Sequence, residues 1–257
     1  MALITFLSDF GSTDHYVAAV KAKILSTNPG LQIVDISHDI EPCNLAHASF
    51  VLKHIYNQFP NGTIHLVGVN SSNSEDDTFL ALKLEEHYFL GNDNGIWGLI
   101  SDEMASTVIE INSLKPVKST FPARDILAPA AAKLASGTNI LDLGKPLKEY
   151  LRMLPRKPRA SKQQIAGHVI HVDHFGNLVT NISKIDFDIL SKGKKFSIKF
   201  GRENMTKIHG GYKTVDNGDC FLLFNSMNLL EVGINNGHAA QLLGLDYDSP
   251  VIISFED

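Results

Sequence analysis

Strand-like and helix-like segments alternate along the first half of the chain. ALITFL, LQIVDIS and TIHLVGV are rich in apolar and β-branched residues, whereas DHYVAAVKAKILSTN and NLAHASFVLKHIYNQF carry apolar residues at helical spacing. A strand, helix, strand, helix, strand order requires parallel pairing with right-handed crossovers. The sequence therefore predicts an α/β fold class, with an N-terminal three-layer α/β domain built on a mainly parallel sheet.

Single residues mark the ends of the predicted helices. Asp14 is the expected N-cap of the first helix, and Pro60 ends the second. A third helix is predicted in RDILAPAAAKLAS, where Pro129 bends the helix or delays its start. The segment GNDNG at residues 91–95 is predicted to be a turn.

The second half of the chain contains short strands separated by turn residues. The predicted strands are IAGHVIHV, LVTNI, KKFSIKF, CFLLF, LLEVGI and VIISF. This change of pattern indicates an N-terminal domain at residues 1–150, a basic, proline-containing linker at 151–163, and a smaller, mainly β C-terminal domain at 164–257.

Composition restricts the possible partners. The 257 residues are 44% hydrophobic and carry a net charge of −5, so they provide a globular core but no overall basic surface for nucleic acid. The basic stretch at residues 152–162 contains two prolines and is interpreted as a solvated linker. We therefore predict no nucleic-acid partner.

Several kinds of segment and site are missing from the sequence. No apolar stretch approaches the length of a membrane span and the first residues lack a signal-peptide pattern, so a cytoplasmic location without membrane contact is expected. Cys43 and Cys220 sit in unrelated contexts and are expected to be reduced thiols. The eleven histidines lack metal-binding spacing, so no metal is assigned.

An acid stands at the end of the first predicted strand, in the segment SDFGSTDHY. The Asp9 carboxylate can accept hydrogen bonds from two ribose hydroxyls at such a position. The alternative is that Asp9 only braces the glycine turn that follows it. Neither the dinucleotide fingerprint G-x-G-x-x-G nor the phosphate loop is present, which argues against ordinary nucleotide-phosphate binding.

A second polar cluster lies in VDHFGNLVTNI. The amide of Asn177 can bind the edge of a base while Phe175 offers a face for stacking. The alternative is a glycine turn between two strands, with Phe175 in the core. Near the end of the chain, Ser226 is placed in a turn from which its hydroxyl can donate to a ligand.

Five segments together resemble the S-adenosylmethionine hydroxide adenosyltransferase family, the S-adenosylmethionine hydrolases that also include fluorinating and chlorinating enzymes. The segments are SDFGSTDHYVAAVKAKI, GNDNGIW, TFPARDILAPAAAKLASG, DHFGNLVTNI and NSMNLLEVGINNGHAAQLLG. They occur in the family's order and span nearly the whole chain.

The resemblance implies an α/β N-terminal domain, a β-rich C-terminal domain, and a homotrimer with each ligand site between the N-terminal domain of one subunit and the C-terminal domain of the next. It implies S-adenosylmethionine or adenosine as the ligand, and no metal or redox cofactor. Family members use water or halide to attack C5′ of the ribose and expel methionine, so alignment and desolvation of the nucleophile are the protein's main tasks.

The resemblance also assigns ligand-binding roles position by position. It places Asp9 on the ribose diol and Asp173 with Ser226 around the methionine moiety. The residues that would enclose the adenine are Phe175, Asn177 and Tyr212, the last from a gapped comparison.

The family's water-activating Asp, Arg and His correspond here to Asn70, Asp77 and Pro122. Asn70 can hydrogen-bond but is no base, Pro122 has no side-chain proton chemistry, and Asp77 reverses the arginine's charge. Glu75 and Asp76 precede Asp77 in the same loop. The halogenating branch is not matched either, since its halide-pocket groups correspond to Asn70, Cys43 and Ala123.

Two functions remain open from the sequence. One is a working hydrolase that forms adenosine and methionine, with the acidic loop or another histidine polarising the water. The other is a catalytically inactive protein that binds S-adenosylmethionine or a related nucleoside, because an acidic loop can favour the bound sulfonium without accelerating its reaction. The triad replacement leaves the catalytic residues unassigned.

Overall fold

A computed structural model describes residues 3–71, 77–111 and 119–256 of the protein. The chain divides into two compact units, Met1–Pro155 and Arg156–Asp257. This division falls inside the predicted linker, whose limits of 151 and 163 stay predictions.

A single sheet is the framework of the N-terminal unit, and its described part has seven strands. They are β1 (Leu3–Ser8), β2 (Gln32–Ser37), β3 (Ile64–Gly68), β4 (Phe79–Leu84), β5 (His87–Asn92), β6 (Thr107–Ile111) and β7 (Gly144–Pro146). Their order across the sheet is β2-β1-β3-β5-β4-β6-β7. Strands β2, β1, β3 and β5 run parallel, and β4, β6 and β7 are each antiparallel to their neighbours. The predicted α/β class is confirmed.

Helices cover both faces of this sheet. The α-helices within the described residues are α1 (Tyr16–Thr27), α2 (Leu45–Lys53), α3 (Trp97–Ile100) and α4 (Ala128–Ala135). Alternation along β1 sends Phe6 into a core with α1 and α4, and Leu7 into a second core with α2 and α3. The three-layer prediction is therefore confirmed.

The starts of the helices partly follow the predictions. Asn44 caps α2 by accepting a hydrogen bond from the backbone N–H of His47 at 2.9 Å. The prediction that Asp14 caps α1 was wrong, because the N-cap position is His15 and no side chain caps this helix. Pro129 lies in the first turn of α4, directly after a π-helical segment at Ala123–Leu127, which agrees with a delayed start.

Two buried histidines, His65 on β3 and His87 on β5, lie next to each other. His65 is fully buried; its Nδ1 is 2.7 Å from Thr5 Oγ1 and its Nε2 is 3.3 Å from His87 Nδ1. The ring stacks on Phe89 with centroids 4.8 Å apart. Burial, together with the neighbouring His87, lowers the pKa of His65 to about 3.

The C-terminal unit consists mainly of antiparallel strands. In its described part they are β8 (Arg159–Ala160), β9 (Gln164–Val172), β10 (Leu178–Ser183), β11 (Lys195–Phe200), β12 (Glu203–Met205), β13 (Cys220–Phe224), β14 (Leu229–Ile234) and β15 (Pro250–Glu256). The order is β12-β11-β15-β9-β10-β14-β13, with β8 paired to β9. The predicted β-rich C-terminal domain is confirmed in class.

Two short helices accompany these strands, α5 (Lys184–Leu190) and α6 (Ala239–Leu243). The sequence analysis did not predict α5. The serine and acid at the start of α5 could have indicated this helix. Ser183 accepts the backbone N–H of Asp186 at 3.0 Å and donates to the carboxylate of Asp186 at 2.8 Å.

Within the described ranges, no helix combines the length and the apolar character that crossing a bilayer requires.

The His65 environment predicts an acid-dependent loss of stability. His65 stays neutral in the folded state down to about pH 3 but takes up a proton near pH 6.5 when unfolded, so acid favours unfolding. Between about pH 7.5 and about pH 5, the free energy of unfolding should fall about 2 kcal/mol further in the wild type than in His65→Asn. Urea unfolding at several pH values measures this difference.

The control is His15→Asn, which removes an exposed histidine at the start of α1. This variant should keep the wild-type dependence on pH. An unchanged dependence in His65→Asn would contradict the assignment of the effect to the buried ring.

Candidate functional site

The Asp9 carboxylate lies where the ends of two parallel strands meet a neighbouring loop. Asp9 directly follows β1, and Asn70 lies two residues beyond β3, which pairs with β1. Asp9 Oδ2 accepts the backbone N–H of Asn70 at 3.0 Å and that of Cys43 at 2.9 Å. One carboxylate oxygen thus ties together three loops at the carboxyl edge of the parallel strands, where α/β proteins commonly bind ligands.

The two donors to Asp9 have unusual backbone conformations. Cys43 has φ of 60° and Asn70 has φ of 49°, both in the left-handed region that non-glycine residues rarely adopt. Such conformations cost about 1–2 kcal/mol each and persist where the surroundings hold them. The hydrogen bonds to Asp9 provide that restraint, because they fix both N–H groups on one charged acceptor.

The other carboxylate oxygen of Asp9, Oδ1, differs from Oδ2 in its surroundings. Within the described residues, no hydrogen bond reaches Oδ1. Asp9 is only partly buried, so Oδ1 remains available to a polar group of a ligand. The carboxylate therefore braces the loops of Cys43 and Asn70 with Oδ2, rather than the glycine turn that follows Asp9, and Oδ1 is left without a described hydrogen bond.

A chain of polar side chains supports the same edge from the opposite face of β1. Ser8 Oγ is 2.7 Å from His38 Nδ1, and His38 Nε2 is 3.1 Å from Asp35 Oδ1. Lys21 donates to Asp35 Oδ2 at 2.5 Å. Burial opposes ionisation of Asp35, but Lys21 and His38 outweigh it and lower its pKa. The backbone N–H of Gly11 also donates to His38 O at 2.8 Å, which holds the Asp9 loop against this segment.

The segment at residues 93–95, which follows β5, lies beside the loop after β3; the predicted turn at 91–95 is confined to it, because Gly91 and Asn92 belong to the strand. Asn94 Nδ2 donates to Val69 O at 3.2 Å, and Asp93 Oδ1 accepts the backbone N–H of Leu151 at 2.8 Å. Burial raises the pKa of Asp93, and the hydrogen bond from Leu151 partly opposes that rise. The hydrogen bond from Asn94 positions Val69, and therefore the next residue, Asn70, relative to Asp9.

The three positions of the expected water-activating triad have different surroundings. Asn70 is exposed, Asp77 is half-buried, and Pro122 is buried at the start of the π-helical segment. Glu75 and Asp76 lie outside the described residues. The loss of the triad stays a prediction from the sequence.

The C-terminal unit contains a cavity of about 700 Å³. Four of the predicted site residues line it, namely Asp173, Phe175, Asn177 and Tyr212. Ser226 is exposed in the turn between β13 and β14 and is not among the lining residues. The structure thus brings together most of the binding set that was predicted for this half of the chain.

Asp173 shapes the wall of this cavity. Its Oδ1 accepts the backbone N–H groups of Phe175 at 2.9 Å and Asn177 at 2.8 Å, and its Oδ2 accepts Asn177 Nδ2 at 3.2 Å. These bonds close a tight loop in which Gly176 has φ of 84°. The loop leaves the Phe175 side chain 74% exposed, which rules out the alternative that Phe175 is a core residue.

Two aromatic side chains offer apolar faces at the cavity. Phe175 projects from the loop, and Tyr212 is 49% exposed and packs edge-on against Phe221 with centroids 5.5 Å apart. Burial raises the pKa of Tyr212, and the negative charge of Glu231 raises it further. Aromatic faces beside the Asn177 amide suit a flat heterocycle with polar edges.

The sequence analysis missed two residues beside the cavity, His238 and Glu231. His238 lines the cavity and caps α6, because its Nδ1 accepts the backbone N–H of Gln241 at 3.3 Å. Glu231 lies on β14, is only 3% exposed, and accepts a hydrogen bond from Asn225 Nδ2 at 2.9 Å. An acid inside the apolar run LLEVGI was the available signal, because a buried acid needs specific partners.

The described residues contain no group of three His, Cys, Asp or Glu side chains placed to hold a metal ion.

Models of known families match most of the chain. Residues 4–144 match the SAM (S-adenosylmethionine) hydroxide adenosyltransferase N-terminal domain, and residues 167–252 match the C-terminal domain of the same family.

Individual relatives agree with the family match. An (R)-S-adenosyl-L-methionine hydrolase from Methanocaldococcus jannaschii is 30% identical over 95% of this chain and 93% of its own length. A protein of the same name from Thermus thermophilus is also 30% identical, over 98% of this chain and 99% of its own length. A crystal structure of a conserved protein from Thermotoga maritima has a TM-score of 0.89 and 32% identity, covering 98% of this chain and all of that one.

The loop at Gly176 predicts a stability difference between two glycines. Both Gly176 and Gly218 have φ near 85°, at 84° and 88°, but a Cβ at Gly176 would overlap the His238 ring whereas one at Gly218 meets nothing within 4 Å. Gly218→Ala should cost about 1 kcal/mol of unfolding free energy through backbone strain alone, and Gly176→Ala about 2–4 kcal/mol. Urea unfolding of both variants measures the difference, and equal losses would contradict the close contact with His238.

Proposed function

The chain belongs to the SAM hydroxide adenosyltransferase family, and from this premise we propose that it binds S-adenosylmethionine and hydrolyses it to adenosine and methionine. Relatives of nearly equal length that carry the hydrolase name support this proposal. A binder without turnover is less well supported, because these relatives carry the name of an enzyme.

The observation that carries the proposal is the geometry of Asp9. Two backbone N–H groups hold Oδ2 at 2.9 and 3.0 Å, and no described donor reaches Oδ1. The vicinal hydroxyls of a ribose can donate to a carboxylate that is fixed in this way. A rigidly held acceptor loses little entropy on binding, so it can fix the sugar and direct C5′.

The reaction needs little acid–base chemistry from the protein. A water oxygen forms a bond to C5′ while the C5′–S bond breaks, its electron pair stays on sulfur as neutral methionine, and a water proton passes to solvent. Because the leaving group is a neutral thioether, alignment of the water with the C5′–S bond and exclusion of bulk solvent are the main contributions of the site.

The proposal includes the replaced triad. With Asn70, Asp77 and Pro122 in place of an Asp, an Arg and a His, Asn70 can orient a water molecule by hydrogen bonding but cannot accept its proton. Positioned acid–base groups contribute about 10²–10⁴-fold in rate, so we expect slow turnover rather than none. Asn70 is supported in this role by its exposed side chain and by its backbone N–H, which is held on Asp9.

We also propose that the protein forms a homotrimer and is located in the cytoplasm. The binding set is divided between the two units, with Asp9 in one and the cavity residues in the other. Assembly that sets the N-terminal unit of one subunit against the C-terminal unit of the next would complete each ligand site. Light scattering of the purified protein tests this point, and a monomer that turns over S-adenosylmethionine would exclude it.

The proposal predicts the effect of a single change at Asp9. Asp9→Asn keeps the size of the side chain but removes its charge, so it weakens the hold on the two backbone donors and on the ribose. The kcat/KM for adenosine formation from S-adenosylmethionine, followed by mass spectrometry, should fall roughly tenfold to a hundredfold.

The matched control is Asp14→Asn, which neutralises an exposed acid in the loop between β1 and α1. This variant should retain the wild-type rate. Equal rates in the wild type and Asp9→Asn would refute the role of Asp9, and a complete lack of adenosine from the wild type would refute the hydrolase.

A further inference from the structure

The segment at residues 93–95 holds both ends of the loop between β3 and β4. Asn94 Nδ2 donates to Val69 O at 3.2 Å, directly after β3. The backbone N–H of Asp93 donates to Thr78 O at 2.8 Å, directly before β4. The first and last residues of this loop are therefore bound to the same short segment after β5.

The side-chain amide of Asn94 has one favourable orientation. Its Oδ1 accepts the backbone N–H of Ile96 at 3.3 Å, while its Nδ2 faces the carbonyl of Val69. A flipped amide would place a donor against the Ile96 N–H and an acceptor against the Val69 oxygen. Val69 thus receives a donor whose position is set by the residue that begins α3.

Residues 151–153 hold the 93–95 segment in place. Asp93 Oδ1 accepts the backbone N–H of Leu151 at 2.8 Å, and the backbone N–H of Met153 donates to Gly95 O at 3.0 Å. Gly95 has φ of 93°, and a Cβ there would lie 2.5 Å from Met153 Cγ. Only a glycine permits this approach, so the two segments pack closely.

Arg152 anchors the 151–153 segment to the residues that follow α3. Its Nη2 donates to the backbone oxygens of Ser101, Asp102 and Glu103 at 3.2, 3.1 and 3.4 Å. Hydrogen bonds from a charged donor are stronger than those between neutral groups. The 93–95 segment is therefore fixed by contacts that do not involve the loop between β3 and β4.

The Val69 oxygen and the Asn70 N–H belong to the same peptide group. This group is planar, so its orientation is set once both of its edges are bound. Asn94 Nδ2 binds the oxygen at 3.2 Å, and Asp9 Oδ2 accepts the N–H at 3.0 Å. Asn94 and Asp9 thus hold one peptide plane from opposite sides, immediately before the Asn70 side chain.

We propose that Asn94 is a positioning residue for the attack of water, because it fixes the peptide plane from which the Asn70 side chain projects. This inference rests on the proposed function, in which Asn70 orients the water. It adds a residue on a different loop that acts through the backbone of Val69.

The physical basis is the conformation of Asn70. Its φ of 49° lies in the left-handed region, which a non-glycine residue leaves when its restraints are removed. Without the hydrogen bond from Asn94, the peptide plane can rotate and Asn70 can relax toward an ordinary conformation. The side-chain amide would then move away from the line of attack, and a shift of about 1 Å can cost about a hundredfold in rate.

Steady-state kinetics of Asn94→Asp test the inference. This change keeps an oxygen for the Ile96 N–H but removes the donor to Val69. The kcat for adenosine formation should fall about tenfold, while KM should stay within about twofold because Cys43 still holds Asp9. Asn94→Ser, whose hydroxyl is too short to reach Val69, should have the same effect without an added charge.

A double-mutant cycle shows whether Asn94 acts through Asn70. In an Asn70→Ala background the water-orienting amide is already absent, so Asn94→Asp should lower kcat by less than about twofold. An equal fall in kcat in both backgrounds would overturn the inference.

The matched control is Asn139→Asp. Asn139 Oδ1 accepts the backbone N–H of Leu141 at 3.0 Å, two residues ahead as at Asn94, and the residue is exposed. This variant should keep the wild-type kcat. Thermal melting of every variant checks that it is folded.

Amide hydrogen exchange supplies a readout that does not depend on turnover. In Asn94→Asp and Asn94→Ser the Asn70 amide should exchange about tenfold faster than in the wild type. The Cys43 amide, which donates to the same Asp9 oxygen from another loop, should keep its rate. Faster exchange at both amides would mean a general loosening, and an unchanged rate at Asn70 would mean no hold; either result would overturn the inference.

Failure of the inference can be told apart from failure of the proposed function. A wild type that forms adenosine at the same rate as Asn94→Asp would overturn the inference and leave the hydrolase intact. A wild type that forms no adenosine would refute the hydrolase and the role in water attack, while the exchange rates would still decide whether Asn94 holds the peptide.

Discussion

The acceptance of two backbone N–H groups by Asp9 organises the N-terminal half of the candidate site. The bonds from Cys43 and Asn70 join the ends of β1 and β3 to the segment that follows β2, and both donors hold left-handed conformations. A neutral side chain at residue 9 would bind these donors more weakly, since hydrogen bonds to a charged acceptor are about twice as strong as neutral ones. In the proposed function the same carboxylate presents its second oxygen to the ligand, so loop structure and binding would both depend on one charge.

The C-terminal unit uses a carboxylate in a similar way. Asp173 closes a loop around Gly176 by accepting two backbone N–H groups, and it also holds the Asn177 amide. On β14, burial raises the pKa of Glu231, and the hydrogen bond from Asn225 partly opposes that rise. In both units, therefore, an acid held by amide donors positions residues that we propose bind the ligand.

Much of this architecture is predictable from the sequence, because parallel buried strands and their crossover helices leave a strong periodic signal. The cavity lining includes Asp173, Phe175, Asn177 and Tyr212, of which Phe175 and Asn177 were predicted from the glycine turn that carries them, and Asp173 and Tyr212 from the family resemblance. The incorrect or missing predictions concern single short elements. The Asp14 cap was wrong because α1 starts after His15, and α5 was missed because its seven residues give little periodicity. Glu231 was not identified from the sequence, because its hydrogen bond from Asn225 forms only when the turn between β13 and β14 brings the two residues together.

The most direct test of the account is the source of the oxygen in the product. S-adenosylmethionine would be incubated with the protein in water labelled with oxygen-18, and the adenosine and methionine analysed by mass spectrometry. Attack of water at C5′ predicts label in the 5′-hydroxyl of adenosine and none in methionine. Adenosine that forms without label, or label that appears in the amino-acid product instead, would contradict the reaction that we assign to the site.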